Sequence, residues 1–122
     1  MSVDADGAPR GLVGARLREA RKIIEREYAT PLTLQRLARR VRLPRFAFQQ
    51  AYEDAYGAPP LHHLREVRAR EAARLLADGR SAHDAALMVG YAQERTFCTD
   101  FRRAFRDDPG RLRLLERARG ES

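Results

Sequence analysis

Ala85-Ala86-x-x-Val89-Gly90-Tyr91, followed by Phe97-x-x-x-Phe101 and Pro109, is the stretch whose reading decides the fold. It occurs earlier in altered form, 48 or 49 residues upstream, as Leu37-Ala38-x-x-Val41, Leu43, Phe48-x-x-x-Tyr52 and Pro60. Each copy places apolar residues on one face of a short helix, then a tight turn. A longer helix with an aromatic pair four residues apart follows, and then a proline, which opens another helix. A helix-turn-helix repeated on a basic chain implies a module that lays two helices on DNA.

Outside the two copies the pattern remains helical. From Val13 the apolar positions Leu17, Ala20, Ile23, Ile24 and Tyr28 recur at three- and four-residue intervals and predict a helix to about Tyr28, where Thr30-Pro31 breaks it. Thr33 is a suitable N-cap for the first short helix, and Ser81 with Asp84 resembles the start of a capping box for its counterpart. Pro44 opens the longer helix of the first copy, with Phe48, Ala51, Tyr52 and Ala55 inward. Pro60 begins a helix of about eighteen residues, closed by Gly79. In the second copy Phe97, Phe101, Ala104 and Phe105 are expected inward, and a last helix from Pro109 buries Leu112 and Leu115. No run shows strand alternation. The fold class is therefore all-α: two helix-turn-helix lobes and a long linker helix, about seven helices in all. Residues 1–12 are expected to be a disordered leader and 13–120 one domain. Within it, lobe one covers about 13–58, the linker 60–78 and lobe two about 81–118.

Composition narrows the partner. The formal charge of the 122 residues is +7, carried by 23 arginines and Lys22, which suits an anionic partner. Arginine favours bidentate contacts with phosphate and guanine, although a GC-rich coding sequence also raises its count. The single cysteine, Cys98, excludes an internal disulfide and a multi-cysteine zinc site. No apolar stretch is long enough for a membrane span and the first residues do not read as a signal peptide, so a cytoplasmic, nucleoid-associated protein is expected. A thiol-imidazole pair between Cys98 and His62, His63 or His83 is unsupported by any glycine-rich loop or acidic cluster. Neither an enzyme nor a cofactor or metal site is expected.

The ordered set of residues resembles the DNA-binding domain of AraC/XylS-type transcription regulators. The resemblance rests on Pro31-Leu32-Thr33-Leu34 with Leu37-Ala38, Tyr56-Gly57-x-x-Pro60, and Leu64-x-x-x-Arg68. It continues through Ala72-x-x-Leu75-Leu76, Ser81 with Ala86, Val89-Gly90-Tyr91, Phe97-x-x-x-Phe101-Arg102-Arg103 and Pro109-x-x-x-Arg113, about residues 16 to 113. It implies sequence-specific binding to double-stranded DNA, with a recognition helix from each lobe in successive major grooves. The linker, about 27 Å long at 1.5 Å per residue, is compatible with that spacing. A monomer able to bind DNA is expected, with a dimer left open. Activation is the commoner behaviour in the family. Only residues 1 to about 15 lie outside the module, too few for the ligand-sensing domain that family members usually carry. Control is then expected from abundance, a partner protein or a domain absent from this chain. The alternative is a degenerate helix-turn-helix that acts on RNA polymerase or another regulator as a protein-interaction module.

In lobe one the face opposite the aromatic pair carries Phe46, Gln49, Gln50 and Glu53, at i, i+3, i+4 and i+7. These fall where the family makes base contacts. Glutamine can bridge adenine N6 and N7, a ring can pack on a thymine methyl, and glutamate can accept from cytosine N4. Glu53 suits a solvated, structural position better, since phosphate would repel it. In lobe two the expected outward face is Arg95, Cys98, Thr99 and Arg102, with Glu94 at the helix start; Arg95 and Thr99 are the candidate base contacts. Arg102 and Arg103 are candidate phosphate contacts, and so are Arg39, Arg40, Arg65 and Arg68, for which salt bridges or a solvated face are an equal reading. Thr33 and Ser81 head short helices whose N–H groups could each hold a phosphate.

Four departures from the family pattern stand out. Arg42 occupies the turn position where glycine is usual, filled by Gly90 in lobe two; a positive φ there would cost about 1 kcal/mol. Pro44-Arg45 replaces a Ser-Pro start, Ala92 removes a serine cap, and Arg106-Asp107-Asp108 stands where a glycine turn is common. Lobe one is accordingly expected to dominate specificity. Binding is expected to fall steeply with salt, each displaced counterion contributing about 0.9 to the log–log slope.

Overall fold

The computed structural model describes residues 9–121, and the chain is all-α. Seven helices follow one another among the described residues: α1 (Leu12–Glu27), α2 (Leu34–Arg40), α3 (Arg45–Tyr56), α4 (Pro60–Ala77), α5 (Ala82–Met88), α6 (Glu94–Ala104) and α7 (Pro109–Glu121). The greater part of the expected leader, residues 1–8, lies outside the described residues.

The chain divides into two compact units. One comprises the chain up to Tyr28 with Leu32–Leu64, the other Ala29–Pro31 and the chain from Arg65 onward, so α4 begins in the first and continues in the second. In the first unit α1 packs on α2 and α3. Leu17, Ala20 and Ile24 of α1 are buried there, as are Leu37, Ala38, Val41, Phe48 and Tyr52. Gly14 is buried where the chain before α1 passes close to the helix: a Cβ would overlap the Pro9 carbonyl oxygen. Val13, where the apolar pattern begins, is exposed, because the buried stripe of α1 runs through Gly14, Leu17, Ala20 and Ile24.

In the second unit α5 packs on α6 and α7, and α6 on α7. Ala82, Ala85, Ala86 and Val89 meet a core built by Phe97, Phe101, Leu115 and Ala118. The aromatic pairs are tightly set, with centroids 5.8 Å apart for Phe48–Tyr52 and 5.5 Å for Phe97–Phe101. The helical wheel overstates burial at its margins: Ala51, Ala55 and Leu112 are half-buried and Ala104 is exposed.

Both caps read from the sequence are formed. The Thr33 hydroxyl oxygen accepts from the Arg36 N–H at 3.1 Å, and that of Ser81 from the Asp84 N–H at 3.0 Å. The turns after α2 and α5 share one hydrogen-bond scheme. Leu43 N–H reaches the Ala38 carbonyl and Arg42 N–H that of Arg39; Tyr91 N–H reaches Ala86 and Gly90 N–H reaches Leu87. This is the Schellman arrangement, which needs a left-handed residue after the helix. Gly90 supplies it with φ 103°, and Arg42 adopts φ 59° as the only described non-glycine residue with positive φ.

Candidate nucleic-acid interface

The first candidate surface follows from what α3 buries. Phe48 and Tyr52 point into the core, and the hydroxyl of Tyr52 lies 2.8 Å from His63 Nδ1, whose Nε2 lies 3.0 Å from Glu25 Oε1. With that face fixed, Phe46, Gln50 and Glu53 are exposed and Gln49 is half-buried. Phe46 is 73% exposed, a large ring kept in water with the Arg45 guanidinium 4.7 Å from its centroid. Gln50 Nε2 donates to Asp54 Oδ1 at 2.8 Å. Asp54 was not foreseen as a site residue, although its i+4 spacing from Gln50 was there to be read.

The arginines beside this face differ in their freedom. Arg39 is exposed at the end of α2. Arg40 Nη1 donates to Glu27 Oε1 at 2.6 Å. That hydrogen bond holds the Glu27 carboxyl below its ordinary range and raises the Arg40 guanidinium above its own. Binding of Arg40 to phosphate must therefore compete with an existing partner. At the helix starts headed by Thr33 and Ser81, each hydroxyl oxygen already receives one backbone N–H, that of Arg36 or Asp84, so that donor is taken.

On α6 the aromatic residues again set the orientation. Arg95, Thr99, Arg102 and Arg103 are exposed. The Thr99 hydroxyl donates to the Arg95 carbonyl at 3.1 Å, leaving its oxygen lone pairs as the group offered outward. Cys98 corrects the sequence reading: it is buried, only 5% exposed, rather than part of the outward face. Burial pushes its thiol above the ordinary value, opposed by the charge of Arg119 from α7. A thiol so placed is the reverse of an activated nucleophile. Arg119 joins Glu94, Arg95, Cys98, Thr99 and Arg102 around a cavity of about 300 Å³. No local pattern signals Arg119, because only the packing of α7 brings it to α6.

Arg68 also departs from expectation. Half-buried, it donates through Nη2 to the Thr30 carbonyl at 3.0 Å and lies 5.2 Å from the centroid of the Tyr91 ring. The Tyr91 hydroxyl in turn donates to Asp100 Oδ2 at 2.8 Å. Arg68 thus already has partners within the second unit, with which any phosphate contact would compete; Arg65 is exposed. Among the described residues no group of three or more His, Cys, Asp or Glu side chains is placed to hold a metal ion. No helix there is long and apolar enough to cross a membrane.

Two helix-turn-helix units, each with an exposed polar or basic face on its longer helix, define a DNA-binding protein of the double helix-turn-helix class. A helix-turn-helix domain family model matches residues 37–114, more than half of the chain, and the chain belongs to this family of AraC-type transcription regulators. Among solved structures it is similar to the C-terminal domain of AraT, a response regulator from Geobacillus stearothermophilus, at 25% identity and a TM-score of 0.74, over 84% of each chain. It is similar also to a probable AraC family transcriptional regulator from Rhodopseudomonas palustris, at 26% identity and 0.71, over 86% of this chain and 98% of that one. A DNA-binding transcriptional dual regulator from Escherichia coli shares the fold at 20% identity and 0.66, over 96% and 97%. No curated protein sequence matches the chain.

Proposed function

We propose that this DNA-binding transcription regulator is sequence-specific for double-stranded DNA, with α3 and α6 each entering a major groove. The observation that carries this reading is the exposed face of α3: burial of Phe48 and Tyr52 leaves Phe46 and Gln50 in solvent, with Gln49 at the margin. A ring exposed for no packing reason suits a thymine methyl. The Gln50 amide, tethered to Asp54 through one N–H, keeps its carbonyl oxygen and second N–H as the fork that adenine N6 and N7 require. Arg95 suits guanine, and the Thr99 oxygen suits a donor on a base edge. Arg39, Arg102 and Arg103 face phosphates, with Arg40 contributing to the extent that Glu27 releases it.

One observation favours a second reading, a protein-interaction module acting on polymerase or another regulator. Leu87 and Met88 at the end of α5 are 52% and 45% exposed, an apolar pair that the core does not use. Selection of the purified chain on random duplexes of about 30 base pairs separates the two. Enriched motifs are expected under the first reading, two if both helices read bases and one if a single helix does. Salt-sensitive binding to every duplex without enrichment would sink sequence specificity and leave the second reading.

A further inference from the structure

Arg95 and Arg102 of α6 and Arg119 of α7 line one cavity of about 300 Å³, with Thr99, the buried Cys98 and Glu94 completing it. Three guanidinium groups and one carboxylate thus line the same concavity, and like charges gathered around one concavity are stabilised by a bound anion. Such a volume lies at the small end for ligand sites, enough for a phosphate group and its nearest waters. Two further features point the same way. The N-cap of α6, Gln93, makes no side-chain cap hydrogen bond, so its side chain does not compete with an anion for the first-turn N–H groups beside the cavity. The Thr99 hydroxyl proton is held by the Arg95 carbonyl, so the side-chain donors are the three arginines.

We propose that Arg102 and Arg119 form a phosphate-binding cleft that takes one backbone phosphodiester of the DNA, with α7 supplying the second arginine and Arg95 at the rim left to a base edge. This rests on the DNA-binding reading above and extends it to a helix that carries no base contact. Arg119 grips the backbone from beside α6 and thereby fixes how deeply that helix sits in the groove.

The test is the salt dependence of binding to a random-sequence duplex of about 30 base pairs. Arg119→Ala is expected to lose about 0.9 from the log–log slope and to weaken binding several-fold, with base preferences unchanged. Arg119→Gln, which keeps the aliphatic stem, is expected to show the same loss, and Arg119→Lys to recover most of it. Arg117→Ala removes the same charge from the same helix without lining the cleft, and is expected to retain the slope. An unchanged slope for Arg119→Ala and Arg119→Gln, or equal losses at positions 117 and 119, would overturn the proposal. So would a base preference lost at one position, since Arg119 would then be reading sequence. If the unaltered chain shows no salt-sensitive duplex binding, the DNA reading itself has failed, and inorganic phosphate alone judges the cleft. Saturable shifts of the Glu94, Arg95 and Thr96 amide signals that vanish in Arg119→Ala then support the site, and their absence overturns it.

Discussion

The two units solve one backbone problem with different residues. After α2 the left-handed position is Arg42 at φ 59°; after α5 it is Gly90 at φ 103°. The hydrogen bonds around both turns are the same, so the geometry is imposed by the helix-turn-helix rather than chosen by the residue. The first unit partly offsets the strain: the Arg42 carbonyl accepts from Arg16 Nη1 of α1 at 2.7 Å. Their polar anchors diverge as well. The first unit ties Tyr52, inside its aromatic pair, to His63 and Glu25. The second uses two phenylalanines there and moves its hydroxyl to Tyr91, bonded to Asp100 and covered by Arg68. A buried hydroxyl needs a partner, but the fold accepts it at either corner. The outward faces differ most in charge, amides and a ring on α3 against arginines on α6. Base discrimination is therefore expected mainly from the first and salt sensitivity mainly from the second.

The largest effect on this contrast is expected from the cores. Phe97→Ala should cost about 3–5 kcal/mol and disrupt α6, while leaving the first unit's own core residues untouched. Denaturant unfolding followed by amide signals from both units checks this; equal loss of signal in both at low denaturant would show that they fold as one. On the proposed DNA-reading faces, Gln50→Ala or Gln49→Ala should cost about 1–3 kcal/mol of discrimination at one position. Arg95→Ala should lower both affinity and the salt slope. A greater loss of discrimination from Arg95→Ala than from Gln49→Ala on one selected operator would reverse the assignment of specificity to the first unit.

A smaller, pH-dependent difference should separate the anchors. Burial, first, and the hydrogen bond to Asp100, second, push the Tyr91 phenol well above its ordinary value. Its contribution is fully present below the ordinary tyrosine range near about 10 and is lost as pH rises above it, because the folded state resists ionisation. The second unit should lose stability in that window. Tyr91→Phe should cost about 1–2 kcal/mol at neutral pH and flatten the alkaline loss. Denaturant midpoints between neutral and strongly alkaline pH check the sign. Smallest of all, Arg42→Gly should stabilise the first unit by about 1 kcal/mol or less, and Gly90→Ala should destabilise the second by a similar amount. A destabilising Arg42→Gly would mean that the Arg42 side chain contributes more than its strained backbone costs.

The helices, both hydroxyl caps and the positive φ at Arg42 were legible in the sequence because each is a local event. Apolar spacing, a hydroxyl before a short helix and a residue at a fixed offset after it depend on neighbours within about one turn. The face of α3 was legible for the same reason, since burying Phe48 and Tyr52 fixes where Phe46 and Gln50 point. Cys98 was misread because it shares the turn spacing of Arg95 and Arg102, and periodicity alone cannot tell that α7 covers one of them. Arg40, Arg68 and Arg119 were equally opaque, one drawn to Glu27, one to Thr30 and Tyr91, and one brought to α6 by α7. The sequence by itself thus determined the helices, their ends and the repeated lobe. Which arginines are engaged within the fold was decided only by tertiary structure, because a long flexible cation takes its partner from whatever packing brings near.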